Sequence, residues 1–227
     1  MEGSAFLPVA QAIAAQLADV PPTADAIGEA VEHLRRAAAD AVPRPAFDGA
    51  PARDYAAILD AAIREAGVAG VARPLAGVGH ALPWHYHYAP RPGEADLAES
   101  IAFAELIGPH GPLWAPDCRI GFTLMAPRTF YPLHTHPAVE LYLVIAGEAQ
   151  WTTPDADRIV PPGQFVLHRS NEPHAMRTFA DPLLALYAWR GDLFAPAVYT
   201  KSQDGLEPIE PITDASPGIT SSPAPTT

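Results

Sequence analysis

Tyr131-Pro-Leu-His134-Thr-His136-Pro-Ala-Val-Glu140-Leu-Tyr142 concentrates two histidines, a carboxylate and two tyrosines in one short run. Alternate residues of a β-strand point to the same face. Read as one extended strand, the run puts His134, His136, Glu140 and Tyr142 on one face. Val139, Leu141 and Leu143, all apolar, fall on the other. One side can then bind a metal while the other packs into a core. His174, in Asn171-Glu172-Pro173-His174, stands where a later strand should begin. Three imidazoles and a carboxylate suit one divalent transition metal ion (Zn, Fe, Mn, Co or Ni) and do not suit Ca or Mg. A single histidine usually does nothing chemical. The in-phase Glu140, the following Gly147 and a fourth donor one hairpin away set this constellation apart from a chance pair.

The surrounding sequence has a β rhythm. Short runs rich in strand formers come at residues 119–125, 139–145, 148–153, 164–168, 174–179 and 183–190, separated by Gly and Pro. That spacing predicts an antiparallel sandwich or barrel. Gly147-Glu148 and Pro161-Pro162-Gly163 read as turns. His168 lies past the second turn, in phase with His174, and reads as a strand-end residue beside the site. Upstream, Trp84-His85-Tyr86-His87-Tyr88 alternates aromatics with histidines. As a strand it places Trp84, Tyr86 and Tyr88 on one face. No carboxylate follows His87 in phase, so the run reads as an aromatic strand or subunit contact and not as a second ligand pair.

Residues 5 to 66 read as helical. Phe6, Ala10, Ile13 and Leu17 make one helical face, and Ile27, Val31, Leu34 and Ala38 a second. Pro21-Pro22 separates them, with Thr23 as the expected N-cap of the second helix. Residues 51 to 66 form a third candidate, with Tyr55, Leu59, Ala62 and Ala66 as its buried stripe. These faces are thin and alanine-rich, which suits covering a barrel or a second subunit and suggests a homodimer. Residues 67 to 80 read as a Gly-rich connector. The expected organisation is a helical region at 1–80, a barrel carrying the metal site at 81–200, and a Pro/Ser/Thr-rich, disordered tail at 201–227.

The totals exclude several classes. A net charge of −12 argues against nucleic acid and anionic membranes as partners. Cys118 is the sole cysteine, which rules out an internal disulfide. No apolar run reaches the roughly 18–20 residues that span a bilayer, and the first residues lack a basic leader segment. The reading is a cytoplasmic protein acting on a small molecule.

The run resembles the first cupin motif, in which H-x-H is followed by Glu and then Gly: here His134, His136, Glu140 and Gly147. Gly163 and His174 match the ends of the second cupin motif. Arg128 stands where the first motif usually has glycine, and Arg169, Asn171 and Thr178 where the second has proline, glycine and asparagine. The resemblance implies a mainly β fold, a cupin double-stranded β-helix (jelly-roll) barrel, preceded here by the α-helical region. With Tyr131, Tyr142 and the aromatic run Tyr187-Ala-Trp189 added, the chain is similar to the cupin-type dimethylsulfoniopropionate lyases. That similarity implies His134, His136, Glu140 and His174 as metal ligands and Tyr142 as the catalytic base. Tyr131 becomes a second candidate catalytic residue and, with Trp189, a wall of the substrate pocket. The implied reaction is a β-elimination giving dimethyl sulfide and acrylate. An Fe(II)-dependent cupin dioxygenase and a non-catalytic cupin that binds a small acid remain the alternatives.

Overall fold

A computed structural model describes residues 1–47, 55–86, 88 and 97–199. The tail expected at 201–227 and His87 lie outside the described residues. Four helices come first: α1 (Leu7–Ala18), α2 (Ala26–Ala39), α3 (Ala56–Arg64) and α4 (Ala69–Val78). The short strand β1 (Val42–Pro43) lies between α2 and α3. The β region follows as β2 (Ile101–Ile107), β3 (Leu113–Trp114), β4 (Cys118–Met125), β5 (Phe130–Thr135), β6 (Val139–Ala146) and β7 (Ala149–Thr152). It continues through β8 (Asp157–Val160), β9 (Phe165–His168), β10 (His174–Thr178), β11 (Leu183–Arg190) and β12 (Val198–Tyr199).

The strands form two sheets. One has the order β1-β3-β2-β4-β11-β6-β9 and the other β12-β5-β10-β7-β8. Among the described residues, pairing is antiparallel except between β2 and β3. The two faces of the larger sheet feed two separate cores. Leu141, Leu143, Ile145, Leu184 and Leu186 join Ile13, Leu34, Leu59 and Leu75 of the helices in the outer core. Tyr142, Val144, Ala185 and Tyr187 turn inward, with Tyr131, Trp151 and Met176, to fill the barrel. This is the expected cupin barrel with helices ahead of it.

Ala10, Ile13 and Leu17 are buried on α1, as their spacing predicts, and Phe6 is buried in the turn just ahead of it. Three local readings need correction. The cap of α2 is Asp25, whose carboxylate accepts from Gly28 N at 2.8 Å; Thr23 instead donates its hydroxyl to Asp25. The segment 67 to 80 is largely α4 and not a connector. Its glycines lower helix propensity, but Val71, Ala72 and Leu75 bury a common face that outweighs the loss. Val68 N also donates to Ile145 O at 3.1 Å, tying the start of α4 to β6. Finally, Trp84 joins the outer core and donates to Gly79 O at 2.8 Å, whereas Tyr86 and Tyr88 pack on the barrel interior. The described residues of the run 84–88 form no regular strand; His85 pairs with Phe103 in an isolated bridge.

Candidate metal centre

The stretch 131–142 is not one strand. It is the end of β5 and the start of β6, which lie in different sheets. His136, Pro137 and Ala138 carry the chain across, and His136 O accepts from Asn171 N at 2.8 Å. Pro137 has no N–H to donate to a ladder, and it lies between the two strands. The shared face survives only on β6, for Glu140 and Tyr142. His134 reaches the same interior from the opposite wall, beside its register partner His174 on β10.

Each imidazole is aimed by its own backbone. Nδ1 of His134 lies 2.8 Å from Pro132 O, that of His136 3.0 Å from Ala138 O, and that of His174 2.9 Å from Glu172 O. A carbonyl only accepts, so each Nδ1 carries a proton and each Nε2 is the ring atom turned toward the shared centre. The three rings offer ligand atoms within 4.8 Å of one another, and all three residues are buried. Glu140 Oε2 stands 2.9 Å from His136 Nε2 and 3.5 Å from His174 Nε2. Among the described residues, Nε2 of His174 has no hydrogen-bond partner. A buried nitrogen without a partner is costly, and a cation among these donors would satisfy it. The donor set fits one first-row divalent ion.

Electrostatics agree with that use. Burial, followed by the neighbouring His174 and His136, holds His134 well below the ordinary histidine pKa. Burial works against charge on Glu140, yet His136 and His174 keep its carboxyl well below the usual range. His136 is likewise opposed by burial, and Glu140 raises it nonetheless. The site thus holds a carboxylate among imidazoles in a buried interior.

Tyrosines line the same space. Tyr131, 2% exposed, stacks on His134 with centroids 3.9 Å apart, and its hydroxyl meets that of Tyr88. Tyr199 lies 4.6 Å from Tyr88, and Phe103 5.9 Å from Tyr131. Tyr142 follows Glu140 on the inner face of β6; burial and then the Glu140 charge push its phenol well above 10. Trp189 donates its indole N–H to Glu140 Oε1 at 2.7 Å. His168 stacks on His174 at 3.8 Å and 9°. Tyr199 and Phe103 escaped the sequence reading, and Tyr88 was read as part of an aromatic strand or subunit contact; the run at 84–88 gave no hint of the partner strands.

A family model described as dimethylsulfoniopropionate lyase matches residues 48–185. The chain belongs to the dimethylsulfoniopropionate lyase family. It is 37% identical over 148 residues to dimethylsulfoniopropionate lyase DddQ of Ruegeria pomeroyi, covering 64% of this chain and 67% of that protein. It is 39% identical over 126 residues to the putative dimethylsulfoniopropionate lyase DddL of Cereibacter sphaeroides, covering 55% of this chain. The matched region spans about half of that second relative, 52%. The crystal structure of Ruegeria pomeroyi DddQ superposes with a TM-score of 0.73 at 29% identity, covering 87% of this chain and 96% of that one. The family match includes His134, His136, Glu140, Tyr142 and His174 and stops short of Trp189.

Proposed function

We propose that this chain is a metal-dependent carbon–sulfur lyase that cleaves dimethylsulfoniopropionate to dimethyl sulfide and acrylate. The observation that carries the reading is the convergence of three buried imidazoles on one centre, with Glu140 beside them and Tyr142 next on the same wall. Family membership supplies the substrate.

His134, His136, Glu140 and His174 are the residues that would hold the ion. A bound divalent ion supplies Lewis acidity to the substrate carboxylate, offsetting charge that builds at the α-carbon, and favours the phenolate of a nearby tyrosine. Tyr142 then takes the α-proton. The electrons of that C–H bond form the C=C bond of acrylate, the C–S bond breaks, and its pair leaves on sulfur. The leaving sulfide is neutral, so no acid has to protonate it. Without a cation beside it, Tyr142 stays a neutral phenol, because burial and Glu140 both oppose its ionisation. Tyr131 and Trp189 wall the pocket, and their electron-rich rings suit a sulfonium. The buried interior excludes water and strengthens each of these charge contacts.

The test is headspace analysis of metal-loaded protein given dimethylsulfoniopropionate under argon. Dimethyl sulfide and acrylate should form in equal amounts without O₂. Turnover that requires O₂ would identify an Fe(II) dioxygenase. Binding with no conversion would identify a small-acid-binding cupin. Either result overturns the lyase reading.

A further inference from the structure

Glu140, Trp189 and Arg119 are direct register partners across β6, β11 and β4. Directly opposed residues share a face of the sheet, so their side chains stand in one row inside the barrel. The indole N–H of Trp189 occupies Oε1 of Glu140, which leaves Oε2 to face His136 and His174. The indole ring has His136 4.4 Å away, centroid to centroid, and the Arg119 guanidinium carbon 5.6 Å from its centroid.

Arg119 is itself held. Its Nε donates to Glu105 Oε2 at 2.7 Å and its Nη1 to Leu193 O at 3.2 Å. Glu105 is 4% exposed, and its Oε1 accepts from His110 N at 2.7 Å and Gly111 N at 2.9 Å. A Cβ at Gly108 would come within 2.5 Å of that oxygen, so glycine permits the close fit. A buried ion pair is a poor route to stability alone, since apolar residues of similar volume often serve as well or better. Its value here lies in where it holds the guanidinium.

We infer that Arg119 is a positioning residue of the metal centre: fixed by Glu105, it holds the Trp189 indole so that Glu140 turns a single oxygen toward the imidazoles. The inference rests on the metal centre proposed above. Removing Arg119 frees the indole to rotate, and Glu140 loses the donor that keeps Oε1 occupied. Partners of metal ligands influence affinity in this way, typically by 10–100-fold; Arg119 acts one contact further out and should count for less.

The experiment measures Co²⁺ affinity by competition with a chromophoric chelator, together with the Co²⁺ absorption bands. It compares the unaltered protein with Arg119→Met, Trp189→Phe and the double variant. Arg119→Met should weaken binding by roughly 3–10-fold and shift the bands, and Trp189→Phe should weaken it by about 10-fold. The double variant should bind no more weakly than Trp189→Phe alone, because the effect passes through the indole. Arg119→Lys keeps the charge opposite Glu105 and carries the comparison if the Met variant does not fold; its affinity should fall between those of the unaltered protein and Trp189→Phe. Unchanged affinity and bands, even with lowered stability, would make the pair a loop fastener and overturn the inference. Additive losses in the double variant would overturn it as well. An unaltered protein that binds no Co²⁺ is a separate failure, that of the metal centre itself.

Discussion

Tyr142 and Glu140 occupy successive inward positions of β6, one beside the imidazoles and one deeper in the barrel. In the proposed reaction the Tyr142 phenol has to ionise in a buried site, so its replacement isolates the proton-transfer step from metal binding. Tyr142→Phe should bind metal as the unaltered protein does and lose dimethyl sulfide release by ~10²–10⁴-fold. Comparing chelator competition with headspace yield checks both halves, and retained turnover would remove Tyr142 from the reaction. The residue types were legible in the sequence, since no other part of the chain puts His, Glu and Tyr so close together. The Nδ1 contacts were not, because a carbonyl two residues away along the chain leaves no trace in a one-letter string. The Glu105–Arg119 pair was hidden for a different reason: its members meet across neighbouring strands, and register is not written in either strand alone.

At the scale of elements, turns carry much of the precision. Gly147 joins β6 to β7 at φ +68°, and a Cβ there would lie 2.1 Å from Pro182 O. Gly147→Ala combines a left-handed backbone with a backbone clash and should cost about 1–3 kcal/mol. Urea unfolding reads that loss directly, and an unshifted midpoint would contradict the close approach. Gly147 was legible because glycine after a β run signals a turn. Arg128 and Asn171 show the opposite case. They stand where the cupin pattern usually has glycine, yet their φ values of 56° and 60° keep the left-handed backbone. Thr178 likewise accepts from Thr129 N at 2.8 Å and donates to Ala126 O at 2.6 Å, bonding the loop where asparagine is common. The shape is retained with different residues. The single-strand reading of 131–142 failed at Pro137, since periodicity of two says nothing about which sheet a strand joins. The segment 67 to 80 was misread because glycine count masked a buried face at Val71, Ala72 and Leu75.

For the molecule as a whole, the buried imidazoles set how it responds to acid. His168 is pushed from an ordinary 6.5 down to about 2, by burial first and then by His174. Between those values the unfolded chain binds a proton that the folded chain refuses. Acid therefore favours unfolding, on the order of 1 kcal/mol per pH unit from this residue, and nothing is lost above the ordinary value. His134 is lowered too and acts in the same direction. His136 is raised; its contribution is full below the ordinary value and is lost as pH rises through the raised one, which offsets part of the trend. The metal-free protein should unfold at less urea as pH falls from about 7 to about 5, and His168→Leu should flatten that slope. A flat profile in the unaltered protein would contradict the burial of neutral imidazoles. The two-core plan was partly legible at this scale: apolar periodicity gave the helical faces and the outward side of β6. The aromatic filling of the interior was not, because it draws on residues as far apart as Tyr88, Phe103, Tyr131 and Tyr199.

The crossing at Pro137 carries one more implication. His134 and His174 project from one wall of the barrel, and Glu140 from the other. Ladder bonds knit strands only within a wall. An ion gripped from both sides would be a rivet between them, so the coordination proposed above would also fasten the vessel in which the chemistry happens.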